Sequence, residues 1–195
     1  STRWIETGQP ADAIFLDFVK VFDKVPHNRL VSKLKSHGID GNVLLWIENW
    51  LTGRRQRVCI KGRASGWRDV CSGVPQGSVL GPVLFLIYIN DLDSKILSDL
   101  LKFADDTKIF GEVSSVQQID QIQKDIDALL QWSADWQLPL NVNKCKIMHF
   151  GNNNPGHTYT MNGQNLQAVE QEKDLGVIIS AKLKPSLHCE QICKR

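Results

Sequence analysis

Apolar and polar positions along this chain follow two rhythms, and the switches between them mark its elements. Residues 11–18 form a short apolar run with Asp17 near its end, the pattern of a buried strand. Pro26 opens a helical stretch carrying Leu30, Val31 and Leu34, closed by Gly38. A second helix places Val43, Leu44, Ile47, Trp50 and Leu51 on one face and stops at Gly53. Residues 56–60 and 67–71 flank the turn-rich segment 61–66 and predict a hairpin. From Gly77 the pattern turns helical: Ser78 can cap, Pro82 fits a first turn, and residues 84–92 are apolar enough to be buried. Residues 100–110 predict a hairpin with Asp105 and Asp106 at its turn. Ile119, Ile122, Ile126, Leu129, Leu130 and Trp136 recur at helical spacing up to Pro139. Residues 145–150 read as a strand, 159–169 as a hairpin about Asn162-Gly163, and 175–179 as one further apolar strand.

Helices interspersed with antiparallel strands predict an α+β fold, with a sheet covered mainly on one face. A split βαβ arrangement fits, the Asp17 strand lying beside the Asp105 hairpin with two helices behind. No repeat or linker divides the chain, so residues 1–195 read as one domain. With 195 residues, 42% of them apolar, there is material for a packed core, which excludes collagen, disordered tails and disulfide miniproteins. The five cysteines include no CxxC pair, and His188, Cys189 and Cys193 lack the spacing of a structural zinc site. The longest apolar run, residues 79–89, is broken by Gly81 and Pro82 and falls short of the roughly 20 residues of a membrane span. With no secretory leader, the expectation is an intracellular protein with no membrane partner. Ser1 at the start and Lys194-Arg195 at the end of a helical pattern suggest a piece of a longer polypeptide.

Charge matters locally rather than in total. The 23 Lys and Arg against 21 Asp and Glu leave a formal charge of +2, too little to draw a polyanion. Arg54, Arg55, Arg57, Lys61, Arg63 and Arg68, with Trp67 among them, nevertheless concentrate positive charge on one predicted hairpin. That hairpin is either a phosphate-contacting surface or a solvated charged loop. Asp17 after an apolar run is costly to bury unless paired or metal-bound. Asp105 and Asp106 add two carboxylates, while Lys102 and Lys108 are expected to alternate away from the turn. Hard oxygen donors on a rigid sheet suit Mg²⁺, and two such ions roughly 3.5–4 Å apart suit phosphoryl transfer. The plainer alternative is a polar hairpin turn.

These residues carry a resemblance. Phe103-Ala104-Asp105-Asp106 resembles the Asp-Asp motif of polymerases. Leu16-Asp17-Phe18 through Phe22-Asp23-Lys24-Val25-Pro26-His27 resembles the first palm motif of the reverse transcriptases of non-LTR (LINE-type) retrotransposons. The stretch from Gly73-Val74-Pro75-Gln76-Gly77-Ser78 to Gly81-Pro82 is similar to that family's second signature. Leu140-Asn141-Val142-Asn143-Lys144 resembles its fourth motif, and Asp174-Leu175-Gly176-Val177 its primer-grip region.

The resemblance implies a polymerase palm with partial fingers, truncated before the thumb. It implies an RNA-directed DNA polymerase that extends a DNA primer on an RNA template with dNTPs. Asp17, Asp105 and Asp106 would be the catalytic carboxylates: Asp17 and Asp105 would hold two Mg²⁺, with Asp106 a more peripheral ligand and Mn²⁺ able to substitute. Phe22 would exclude the 2′-hydroxyl of a ribonucleotide, or be ordinary core. Gln76 and Gly77 would contact the incoming nucleotide, and Lys144 would protonate pyrophosphate or be a solvated strand lysine. Arg54, Arg55, Arg57, Lys61, Arg63, Leu175 and Gly176 would contact nucleic acid. Against the family pattern, Val19 and Val21 replace small residues, Cys145 a threonine, and Asp174 an aromatic. The alternatives are an inactive remnant acting as a nucleic-acid-binding or scaffold module, and a metal-dependent nuclease.

Overall fold

The computed structural model describes residues 8–193, and Lys194-Arg195 lie outside them. The described chain forms two compact units. One contains the residues up to Phe18, residues 92–133 and those from Pro139 onward; the other contains residues 19–91 and 134–138.

The first unit is built on a five-stranded sheet. Its central strand is β1 (Ala11–Leu16), six residues whose side chains are nearly all buried. After the basic hairpin strands β2 (Arg55–Gln56), β3 (Cys59–Ile60), β4 (Arg63–Ala64) and β5 (Arg68–Asp69) come β6 (Asp99–Phe103) and β7 (Asp106–Glu112). Beyond them lie β8 (Lys146–Phe150), β9 (Thr160–Met161), β10 (Gln164–Asn165) and β11 (Gln167–Ala168), then β12 (Gln171–Asp174) and β13 (Val177–Ser180). The sheet order is β11-β8-β1-β7-β6, so the apolar β1 sits between two antiparallel partners. The sequence places the Asp17 strand beside the Asp105 hairpin, and β1 does pair with β7 over its whole length, Leu16 opposite Thr107.

The helices are α1 (Val21–Lys24), α2 (His27–Ser36), α3 (Gly41–Leu51), α4 (Leu80–Tyr88), α5 (Val116–Asp135) and α6 (Ser186–Cys193). On one side of the sheet α5 buries Ile122, Ile126 and Leu129, and Ile122 presses on Gly111 of β7 so closely that a Cβ there would come within 2.6 Å of Ile122 Cδ1. The opposite face is covered too, contrary to expectation. Ala13, Met148 and Phe150 form a buried cluster against which Phe15, Phe110, Val169, Ile179 and Ala181 pack, so the β12–β13 hairpin lies on the sheet. The predicted strand over 175–179 starts only at Val177, because Leu175 and Gly176 both take positive φ and form the turn.

Asp12 interrupts the apolar run of β1 and is fully buried. It remains satisfied because His149 Nδ1 (2.7 Å), Asn154 Nδ2 (2.8 Å) and Tyr159 Oη (3.0 Å) all reach its carboxylate. Asn162 and Gly163 both have positive φ, as a two-residue β9–β10 turn requires. Gln123 of α5 donates to and accepts from the backbone of Thr160, each at 2.9 Å, serving as a strand partner for β9.

In the second unit α3 buries Leu44, Ile47 and Leu51, while Val43, expected on that face, is 60% exposed. Trp46 and Trp50 stack at 6.4 Å on the outer side. Lys33 of α2 is buried, ion-paired with Asp91, and its Nζ lies 3.8 Å from the centre of the Trp136 ring. The Tyr88 hydroxyl donates to the Trp136 carbonyl. No helix among the described residues is long and apolar enough to cross a membrane.

Candidate active site

Asp17 follows the last residue of β1, and Asp106 begins β7, the neighbouring strand. A two-residue turn, Ala104-Asp105, joins β6 to β7, with Phe103 paired to Asp106 and Ala104 held at φ +53°. The strand ends thus bring Asp17 and Asp106 into one pocket of about 170 Å³, whose walls include Lys108, Lys144, Glu172 and Asp174.

Asp17 is less buried than its sequence suggests: its side chain is 41% exposed, because it lies just past the strand. Its backbone is gripped instead. Asn141 N–H donates to the Asp17 carbonyl at 2.7 Å, and the Asp17 N–H donates to Cys145 Sγ at 3.4 Å. Burial, with some help from the Asp17 charge, pushes the Cys145 thiol up to about 11, so it stays protonated. Lys144 belongs to the turn before β8 rather than to a strand, and its Nζ lies 3.8 Å from Asp17 Oδ2.

Desolvation first, then the charges of Asp105, Asp174 and Asp17, push the Asp106 carboxyl above the usual range, while Lys108 opposes them. Lys108 therefore does not turn away from the carboxylates as expected. It stands two residues after Asp106, hence on the same face of β7, and is 8% exposed in an ion pair with Asp174. Lys102 pairs with Asp93 at 3.1 Å.

Among the described residues no three His, Cys, Asp or Glu side chains converge into a complete metal-ligand set. The donors nevertheless fit Mg²⁺. They are hard carboxylate oxygens that repel one another at Asp106, and Mg²⁺ usually takes one or two carboxylates, leaving the other positions to water and substrate phosphate.

Of the other predicted site residues, Leu175 and Gly176 form the β12–β13 turn in the first unit, and the rest lie in the second. Phe22 of α1 packs on Phe85 of α4 at 4.9 Å. Its carbonyl accepts Val74 N–H at 2.7 Å, and a Cβ on Gly73 would fall 2.6 Å from that oxygen. The loop of the second signature is thereby seated on the backbone of Phe22. Gln76 and Gly77 are exposed at its tip, Gly77 at φ +84°. Behind them Ser78 Oγ donates to the Pro75 carbonyl at 2.7 Å and accepts the Gly81 N–H at 2.9 Å, capping α4 as predicted.

On the basic hairpin, Arg55 and Arg57 lie 5.8 Å and 4.6 Å from the Trp67 ring. Lys61, Arg63 and Arg68 are exposed. Arg54 departs from the expected surface. Its guanidinium donates to the Leu51 and Gly73 carbonyls, and burial lowers its pKa. Sequence reasoning missed His27, whose Nε2 lies 2.9 Å from the same Gly73 oxygen. It missed Glu172 and Lys146 as well, which pair at 2.7 Å. Glu172 stands two residues from Asp174, and Lys146 pairs with Phe15 of β1, signals usable only once strand register was known.

A mainly antiparallel sheet with carboxylates at the ends of two adjacent strands, and with helices between those strands in the chain, defines the palm class of nucleic-acid polymerases. The architecture matches the telomerase of Candida tropicalis solved in complex with the TWJ fragment of telomeric RNA. That match has a TM-score of 0.62 at 13% identity and covers 91% of this chain and 30% of the telomerase. Residues 5–179 match the family model described as reverse transcriptase (RNA-dependent DNA polymerase), and the chain belongs to that family. It is 30% identical, over 96% of its length, to the RNA-directed DNA polymerase from mobile element jockey of Drosophila melanogaster, and 31% identical over 92% to that of Drosophila funebris. The chain spans about a fifth of the length of these curated relatives (22% and 20%).

Proposed function

We propose that this chain is the palm-type domain of an RNA-directed DNA polymerase that joins dNTPs to a DNA primer's 3′-hydroxyl on an RNA template. The observation that carries this reading is the pairing of β1 with β7, which puts Asp17 and Asp106 into one pocket beside Lys144. Asp17 and Asp106, with Asp105 at the adjacent turn, would hold Mg²⁺ or Mn²⁺. When bound, such ions neutralise phosphate charge and lower the pKa of the attacking hydroxyl. The protein's own part is to position and to neutralise. The 140–145 turn fixes the Asp17 backbone, and Lys144 presents an ammonium where a departing pyrophosphate needs charge or a proton. Gln76 and Gly77, at the tip of a loop locked to Phe22 and α4, are presented for the incoming nucleotide, with the Phe22 ring as the steric filter.

Primer extension on an RNA template tests this reading in a polypeptide containing the chain. Incorporation requiring Mg²⁺ or Mn²⁺ is expected, with Asp17→Asn and Asp106→Asn each lowering it at least about a thousandfold. Retention of activity in either variant refutes the assigned roles.

A second reading, nucleic-acid binding without catalysis, is favoured by the exposed Arg55–Trp67–Arg57 cluster, which does not depend on the carboxylates. It predicts duplex affinity that falls steeply with salt and loses slope on Arg55→Ala, with no incorporation.

A further inference from the structure

A row of three residues crosses the sheet face on which the β12–β13 hairpin lies. Lys146 of β8, Phe15 of β1 and Lys108 of β7 are Cα partners in neighbouring strands. Above them β12 offers Glu172 and Asp174, two residues apart and so on one face. Lys146 Nζ donates to Glu172 Oε2 at 2.7 Å, and Lys108 pairs with Asp174. Two lysines on alternate strands thus meet two acids on alternate residues of one strand. The Lys108–Asp174 pair is the more shielded, with side chains 8% and 14% exposed, so loss of either partner strands a charge with little water around it.

The rest of the hairpin is held differently. Ile179 and the flanking Val169 and Ala181 pack on Ala13, Met148 and Phe150. Apolar contact presses the hairpin down but is non-directional, so it does not fix how far the hairpin reaches along the sheet. A shielded ion pair does. Its placement gives that restraint a target: Lys108 stands two residues beyond Asp106, and Asp174 directly precedes the exposed Leu175-Gly176 turn.

We propose that Lys108 and Asp174 are a positioning pair that sets where the Leu175-Gly176 turn meets a primer's 3′ end relative to Asp106. Neither side chain touches the substrate; each acts through the element it anchors. The proposal rests on the polymerase reading above, since that reading supplies the primer. It assigns a task to the aspartate that stands where the family pattern has an aromatic, and to a lysine that the mechanism leaves unused.

The test uses a fluorescently labelled DNA primer annealed to an RNA template. It compares the wild-type chain with Lys108→Met, Asp174→Asn and the swapped pair Lys108→Glu with Asp174→Lys. Amide hydrogen exchange is followed at residues 171–180 alongside duplex affinity. Each single variant is expected to speed exchange in the hairpin and weaken duplex binding by about tenfold, with β1 and β8 still protected, and the swapped pair to recover most of both. Asp174→Asn keeps the side chain's size and serves if Lys108→Met fails to fold. Unchanged hairpin exchange, a loosened hairpin with unchanged affinity, or a swapped pair no better than the single variants overturns the positioning role alone. A polypeptide containing the wild-type chain that neither binds the duplex nor extends the primer overturns the polymerase reading, and this role with it.

Discussion

The surroundings of Asp106 disfavour the ionised form of its carboxylate. Its pKa is raised in the folded chain by burial and by Asp105, Asp174 and Asp17. The stabilisation it contributes is therefore fully present below the pKa of an unfolded aspartate and is lost as pH rises through the folded value. Without divalent metal, Asp106→Asn is expected to melt higher than wild type at pH 7, with the gap closing toward pH 4. The group is largely exposed, so the shift should be smaller than the roughly 2–4 °C that 1 kcal/mol produces in a chain of this size. Adding Mg²⁺ should raise the melting temperature of the wild type and not of the variant. Equal melting of both proteins across this pH range would remove the repulsion argument. The acidic identity of this site was legible from the two aspartates at the turn. The company kept by Asp106 was not, because Lys108 and Asp174 join it only through strand register and a hairpin folded back from residues 171–180.

At the scale of elements, the sequence showed periodicity well and seating poorly. Helix α5, the β6–β7 hairpin and the Asn162-Gly163 turn follow from apolar spacing and turn chemistry. The buried polar anchors do not. Asp12 interrupts an apolar run, and Lys33 and Asp125 sit in helices where their spacing reads as a polar face, yet each is buried with partners from distant residues. The loop of the second signature shows the same contrast. Its glycines are visible in the sequence, but only the structure shows that Gly73, at φ +87°, lies against backbone atoms of Phe22 and Asp23. Those atoms cannot rotate aside as a side chain can. Gly73→Ala should cost about 1–3 kcal/mol from backbone strain, more if the loop lifts off Phe22, read as a lowered urea midpoint. Gly111→Ala, whose Cβ would meet side-chain atoms of Ile122 and Ser98 rather than backbone, should cost less. The reverse ranking would show that the loop is not seated in this way.

For the whole molecule, the chain order is interleaved. The second unit comprises residues 19–91 and the five residues 134–138, which carry the Trp136 that covers Lys33 and accepts the Tyr88 hydroxyl. A polypeptide of residues 19–91 should therefore be less stable than the same segment joined by a flexible linker to residues 134–138. The expected difference is about 3 kcal/mol in chemical denaturation, typical of a removed tryptophan side chain. Identical curves would show that the returning segment contributes nothing. The first unit is more deferred still, since β1 has no sheet until β7 and β8 flank it. On a ribosome, the strand leading to Asp17 emerges before either of the strands that flank it. It must wait, apolar and unpaired, until the chain has been made to about Phe150. A prematurely terminated message that already encodes the acidic motif of β7 would thus yield a β1 flanked on one side only, and chaperones or proteases would meet that strand edge before any nucleic acid did.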